Sequence, residues 1–243
     1  MKQTIFTITE NTPLTATVYR MVLTGDTDGI ATGQFVNILL DGLYLRRPIS
    51  VCDCQGDTLT LLYKVVGKGT AQMAAMIAGQ TLDLLTGLGN GYDLSKAGDK
   101  PLLIGGGVGV PPLYMLARQL REQGKAVSVI LGFNTADEVF YEQEFKALGC
   151  DVTVTTADGS HGVKGFVTAA LPADYSYFYT CGPEPMLKAV YKATATSGQF
   201  SFEERMGCGF GACMGCSCKV ITGYKRICKD GPVLEKEEIL WDA

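Results

Sequence analysis

The sequence has little of several things that would point to common functions. Histidine occurs once in 243 residues, as His161, and tryptophan once, as Trp241. The lone histidine falls in a turn-like stretch, Asp158-Gly-Ser-His-Gly162, where a surface position is expected and no proton-shuttle role is assigned to it. Basic runs are missing too: 21 Lys and Arg stand against 25 Asp and Glu, for a net charge of −4. Without a dense positive surface a nucleic-acid backbone is not an expected partner. No stretch approaches the roughly 20 apolar residues of a spanning helix, and the opening Met1-Lys-Gln-Thr-Ile-Phe-Thr-Ile-Thr-Glu10 alternates without the apolar core of a signal peptide. These absences predict a cytoplasmic chain with no membrane anchor. Internal repeats and low-complexity tracts are also missing.

What is present is a core and many cysteines. Apolar residues make up 47% and charged residues 19%, enough to fold one large domain or two ordinary ones. Nine cysteines in a reducing compartment point to metal ligands or buried thiols rather than disulfides. Cys52, Cys54, Cys150 and Cys181 are scattered, whereas Cys208, Cys213, Cys216, Cys218 and Cys228 crowd the C-terminal part.

The chain divides by periodicity. Residues 2–9, 15–24, 34–41 and 58–66 are alternating, β-branched runs separated by turn residues, which predicts an antiparallel barrel. From about residue 100 the pattern changes to an apolar strand at 101–104, a glycine turn at 105–109, a helix at 112–124 and a strand at 126–132. Further strands are expected at 151–156 and 176–181, with helices between them and a helix at 185–197. That order predicts a parallel α/β sheet. After Gly198 comes a glycine- and cysteine-rich segment that cannot build a core from its own side chains and needs a metal or a partner surface to order it.

Several motifs carry chemistry. Cys208, Cys213 and Cys216 stand in C-x4-C-x2-C spacing with Cys228 downstream, the pattern of plant-type [2Fe–2S] ligands. The interleaved glycines let backbone N–H groups turn toward sulfur. A zinc site and free thiols are the other readings, and Cys218 offers an alternative ligand. Arg46-Arg-Pro-Ile-Ser50, placed between two expected strands, suits a fixed anion such as a pyrophosphate. Lys64-Val-Val-Gly-Lys-Gly-Thr70 ends a strand and opens a helix through Ala78, and it reads either as a phosphate site at Gly69 and Thr70 or as an ordinary capped helix. Gly105-Gly-Gly-Val-Gly109 lies between strand and helix, where a dinucleotide approaches the backbone, although Val110 breaks the full G-x-G-x-x-G pattern. Asp158, after a later strand, would repel a 2′-phosphate and accept a ribose hydroxyl, favouring NAD over NADP, or would simply form a turn with Gly159.

In this order the arginine and Lys64–Thr70 motifs resemble the ferredoxin–NADP reductase family. That resemblance implies FAD held by Arg47, Pro48, Ile49, Ser50, Leu62, Tyr63, Lys64, Gly69 and Thr70, with Arg47 on the pyrophosphate and Ser50 near the reactive flavin nitrogen. Gly87-Leu-Gly-Asn-Gly91 is similar to the loop that closes that family's barrel. Cys181-Gly-Pro-Glu-Pro-Met186 resembles the turn beside the nicotinamide, so Gly105, Gly106, Gly107, Gly109, Asp158, Cys181 and Gly182 are the expected NAD residues. Over nearly the whole chain the order of parts, and most specifically Glu203–Cys218, resembles the electron-transfer subunits of class 1B dihydroorotate dehydrogenases. The resemblance implies an antiparallel FAD-binding β-barrel at 1–98, a parallel-sheet NAD-binding domain at 99–200 and a small [2Fe–2S] domain at 201–243 ligated by Cys208, Cys213, Cys216 and Cys228.

It also implies an FMN-containing catalytic partner subunit, two copies of each, and a role in pyrimidine biosynthesis. The gap from Cys216 to Cys228 is shorter than that family leads one to expect, which leaves Cys218 in play as the fourth ligand. A subunit of a sulfur or glutamate reductase and a self-sufficient NAD(P)H reductase are the competing functions; a redox sensor would need an effector segment that the sequence lacks. The cofactors carry the chemistry, so no catalytic side chain is assigned. The cluster loop, with Phe210 and Met214 in it, and Ile239-Leu-Trp241 are expected at an apolar rim, available to a partner or packed on the chain's own barrel.

Overall fold

The computed structural model describes residues 1–241. The first half forms β1 (Lys2–Pro13), β2 (Val18–Thr24), β3 (Phe35–Leu39), β4 (Arg47–Gln55), β5 (Thr58–Lys64), α1 (Lys68–Ala74) and β6 (Thr81–Leu88). The strands close into an antiparallel barrel in the order β1-β2-β5-β4-β3-β6. Alternation dictates the barrel: Phe6, Ile8, Met21, Leu23, Val36 and Ile38 point inward and are almost fully buried.

Three expectations are corrected here. The arginine motif does not lie between strands; Arg47 opens β4, which pairs antiparallel with β3. β6 is absent from the expected strands because Asp83 and Gly87 interrupt its apolar residues, yet pairing with β1 and β3 holds it in the barrel. α1 stops at Ala74 rather than Ala78, because the chain turns there toward β6.

The second half runs through β7 (Pro101–Gly106), α2 (Tyr114–Glu122), β8 (Ser128–Phe133), α3 (Glu142–Ala147), β9 (Asp151–Thr156), β10 (Val163–Lys164), β11 (Tyr177–Cys181), α4 (Glu184–Ala193) and β12 (Gly198–Ser201). The remainder adds the hairpin β13 (Ser217–Val220) and β14 (Gly223–Arg226), then β15 (Val233–Glu235). One seven-stranded sheet results, in the order β10-β9-β8-β7-β11-β12-β15, parallel except for β15 against β12. β7 is buried along its whole length, which is why it reads as an unbroken apolar run.

The expected helix at 112–124 begins only at Tyr114, after short 3₁₀ turns at Gly107–Gly109 and Pro111–Leu113, the second carrying both prolines. No α-helix lies between β9 and β11; β10 and a 3₁₀ turn at Val167–Ala170 take that space. α4 ends at Ala193, short of the expected 197, and strand alternation resumes in β12.

The halves are locked together. Arg118 of α2 donates to Asp53 of β4 at 2.9 and 3.1 Å and to the Cys54 carbonyl, with both charged side chains mostly buried. Met115 of α2 sits in the barrel core. The last segment is tied to the sheet as well. Lys236 Nζ donates to the Thr194 and Thr196 carbonyls beyond the C-terminus of α4 and lies 5.5 Å from the Tyr191 ring centre, and burial holds its pKa below the usual lysine value. Trp241 packs on Tyr191, Phe200 and Phe202.

Candidate functional site

The two arginines of the 46–50 motif have different jobs. Arg46 donates to the Asp83 carboxylate at 2.9 Å and to the Asn37 and Asp83 carbonyls, so it fastens β3 to β6. Arg47 makes no ion pair among the described residues; its guanidinium lies against Gly69 so closely that a Cβ there would overlap Nε. A strand start and a helix start, distant in sequence, therefore converge on one guanidinium. The Thr70 hydroxyl accepts from the Val66 and Gly67 N–H groups at 2.9 and 3.2 Å, so it caps its own helix.

Ser50 pairs across from Phe35, and Ile49 packs on the barrel core. The side chains of Leu62 and Tyr63 are not brought to Arg47. Leu62 is buried against the nucleotide half, and Tyr63 is buried in the barrel core, where its hydroxyl donates to Asn11 at 2.9 Å. Lys64 closes β5 and is half-buried.

The two glycine motifs meet at the carboxyl ends of adjacent parallel strands. Cys181 of β11 lies opposite Gly105 of β7. Gly109 is packed so tightly on the Cys181–Gly182 peptide that any side chain there would strike it, while Gly106 faces Met186 and the space beside Gly107 is open. A bare backbone at a strand end is what a dinucleotide needs. Burial pushes the Cys181 thiol up to about 12, which keeps it neutral. Asp158 is exposed beyond β9 at the same end of the sheet, and its Oδ1 accepts from the Ser160 N–H and hydroxyl at 3.0 and 2.7 Å, the turn arrangement; those bonds hold its carboxyl below the usual range. His161 is exposed, 2.8 Å from Glu142.

The cysteines of the C-terminal segment stand as two pairs. The Cys208 sulfur accepts from the N–H groups of Ala212 and Cys213 at 3.2 and 3.4 Å, and the Cys213 sulfur accepts from the Cys208 N–H. The Cys216 sulfur accepts from the Cys228 N–H at 3.4 Å. Burial pushes the Cys208 thiol up, but the N–H groups of Phe210, Cys213 and Ala212 and the Cys213 thiol outweigh it and bring it down to about 6. Among the described residues no three His, Cys, Asp or Glu side chains surround one point, as the ligands of a single zinc ion would. Two thiol pairs with N–H groups on their sulfurs suit two irons bridged by sulfide, each taking two cysteines. Cys218 belongs to neither pair; it lines a cavity, and burial raises its thiol.

That cavity, about 1020 Å³, lies where all three segments meet, with Arg47 and Pro48 from the barrel, Gly182 and Pro183 from the β11 turn, and Cys218 and Trp241 from the C-terminal part. Sequence reasoning had given Tyr44 and Phe202 no role in a site, but they line it as well. Of the rim residues, Phe210 and Met214 are exposed as expected, whereas Ile239 is buried and Trp241 packs on the chain's own α4 and β12, not on its barrel.

A barrel offering an arginine without an ion pair, a nucleotide sheet with a bare glycine turn and a paired-thiol loop beside both define a reductase module of the ferredoxin-reductase fold extended by an iron–sulfur segment. The iron–sulfur cluster binding domain of dihydroorotate dehydrogenase B matches residues 203–240, and the oxidoreductase NAD-binding domain matches residues 103–192. The chain is 42% identical to the dihydroorotate dehydrogenase B (NAD(+)) electron transfer subunit of Geobacillus sp. (strain WCH70), covering 99% of both chains. It is 46% identical to that of Fusobacterium nucleatum, covering 93% of this chain and 94% of the relative. This chain belongs to the family of dihydroorotate dehydrogenase B electron transfer subunits. The solved structure of an NADH-dependent reduced ferredoxin-NADP oxidoreductase aligns with a TM-score of 0.88 at 30% identity, covering 98% of this chain and 90% of that one. A ferredoxin NADP+ reductase from Neisseria gonorrhoeae, TM-score 0.69 at 18% identity over 79% of this chain and 90% of that one, shares the fold.

Proposed function

We propose that this chain carries electrons from an FMN-containing dihydroorotate dehydrogenase subunit to NAD+ in the cytoplasm, as part of pyrimidine biosynthesis, in an assembly of two subunits of each kind. The relatives' names supply the reaction, and the observation that carries the wiring is the cavity where the Arg47 strand, the Gly182 turn and the C-terminal part meet, with the thiol pairs joined to the neighbouring barrel strand through Phe35 and Asn37. When bound, FAD would supply the conversion between a two-electron hydride exchange with the nicotinamide and single-electron exchange with the cluster, so that NAD+ would take up two electrons and one proton.

The chain's own residues bind and orient. In this reading residues 1–98 hold FAD, with Arg47 on the pyrophosphate and Ser50 beside the flavin's reactive edge. Residues 99–200 hold NAD, seated on Gly105, Gly107 and Gly109 beside Cys181, with Asp158 disfavouring a 2′-phosphate. Residues 201–243 hold the cluster through Cys208, Cys213, Cys216 and Cys228. The exposed Phe210 and Met214 on the cluster loop form the rim that the catalytic subunit covers.

Anaerobic reconstitution with FAD, iron and sulfide, followed by titration with NADH and separately with NADPH, tests the wiring. Bleaching of flavin and cluster absorbance by NADH but not NADPH is expected, as is NADH formation once the catalytic subunit and dihydroorotate are added. Absence of flavin binding, or zinc in place of iron, sinks the reading. Steady turnover of a small acceptor without any partner would favour a self-sufficient reductase.

A further inference from the structure

β3 is the barrel strand that meets the cluster segment. Its alternation puts Val36 and Ile38 inside the barrel, so Phe35 and Asn37 share the opposite face. Phe35 lies in one apolar cluster with Cys216, Ile227 and Cys228, while Asn37 Nδ2 donates to the Cys208 carbonyl at 3.2 Å. One face of one strand therefore meets both parts of the cysteine loop, the Cys208 backbone and the cluster that holds Cys216 and Cys228. The same two residues pair directly with the flavin stretch, Phe35 with Ser50 and Asn37 with Pro48.

Asn37 is an unusual residue for this place. It is 1% exposed, and its Oδ1 is buried with no hydrogen-bond partner among the described residues, a costly arrangement unless the amide has a job. The Cys208 carbonyl can only accept, so it must face the NH₂ end, which fixes the orientation of the amide. Gly209, next along the loop at φ +77°, lies so near Nδ2 that a Cβ would collide with it. Asn37 is held on its own strand by Arg46, which donates to its carbonyl.

We propose that Asn37 is a positioning residue for electron transfer: it holds the Cys208 end of the cluster loop at a fixed distance from the Arg47–Ser50 strand and so sets the gap that electrons cross between cluster and flavin. This rests on the electron-transfer reading above. The hydride step between nicotinamide and flavin would not involve the cluster loop and so does not depend on Asn37; the single-electron step does.

The test compares wild type with Asn37→Leu, which keeps the branched side-chain skeleton but cannot donate, in the fully loaded protein. Stopped-flow mixing with NADH separates flavin bleaching from cluster reduction, and the EPR spectrum of the reduced cluster is recorded alongside. The expected result is an unchanged flavin-bleaching rate, cluster reduction slowed about tenfold by the loosened gap, and a shifted EPR spectrum. Gly209→Ala displaces the loop from the opposite side without touching the barrel interior, and the same pattern is expected from it if the leucine variant does not fold. Wild-type cluster kinetics and spectrum in either folded variant overturn the proposal. Loss of the cluster from the variants with flavin reduction intact overturns it too, because Asn37 would then build the loop rather than space it. A wild-type cluster that NADH never reduces sinks the parent reading instead.

Discussion

The barrel meets its two neighbours through joints of different construction. Against the nucleotide half the joint is made of side chains: Met115 enters the barrel core, Arg118 pairs with Asp53, and Tyr141, held at φ +65°, packs in one buried cluster with Cys52. Against the cluster segment it is made largely of backbone. The Cys208 carbonyl accepts from Asn37, and the Gly231 and Val233 carbonyls accept from the N–H and the side-chain amide of Asn90, each at 2.7 Å; within the segment, N–H groups point at sulfur. The first joint is a piece of ordinary core. The second holds a segment whose own N–H donors are aimed at sulfur, so its stability is expected to depend on what the sulfurs hold.

The two joints treat a thiol in opposite ways. Burial raises Cys52 far above its ordinary value with little to offset it, while converging N–H groups bring Cys208 down to about 6. Sequence spacing alone shows five crowded cysteines; the surroundings decide which of them behave as ligands.

The sharpest way to break this contrast is to remove one thiol at a time. Cys213→Ser should abolish the iron–sulfur absorbance altogether, whereas Cys218→Ser should leave iron content and spectrum intact, since Cys218 faces the cavity; loss of the cluster in Cys218→Ser would overturn the pairing. Next in size is reactivity in cluster-free protein. A lowered thiol is ionised above its pKa, so iodoacetamide labelling of Cys208 should rise through about pH 6 and at pH 7.5 exceed that of Cys52 by about a hundredfold or more, read by peptide mass spectrometry. Equal labelling would show that the N–H groups do not set the contrast. The smallest effect concerns the side-chain joint. Arg118→Met leaves Asp53 mostly buried without its charge partner and should cost about 2 kcal/mol in urea unfolding, with iron content unchanged. A cost below about 0.5 kcal/mol would mean that the ion pair is not what binds the halves.

Much of the fold was legible because periodicity reports burial. The closed barrel and the parallel sheet follow from runs of period two and from strand–turn–helix order. β6 was not legible, since Asp83 and Gly87 break its run and only pairing with β1 and β3 keeps it a strand. The strand β15, drawn from the glycine- and cysteine-rich part, joins the sheet through Phe200 opposite Leu234, a long-range pairing that no local pattern announces.

By itself the sequence determined the ligand spacing of Cys208, Cys213 and Cys216, the glycine turns at the ends of two strands and the order of the three segments, because each is local chemistry written in consecutive residues. Tertiary structure decided which arginine lacks an ion pair, since Asp83 claims Arg46 and leaves Arg47 beside Gly69. It also decided that Tyr63 faces the barrel core, that Cys218 faces the cavity and that Asn37 reaches Cys208. Those outcomes depend on which side of a strand a residue points and on what a distant segment brings to that side. Neighbours along the chain cannot fix that.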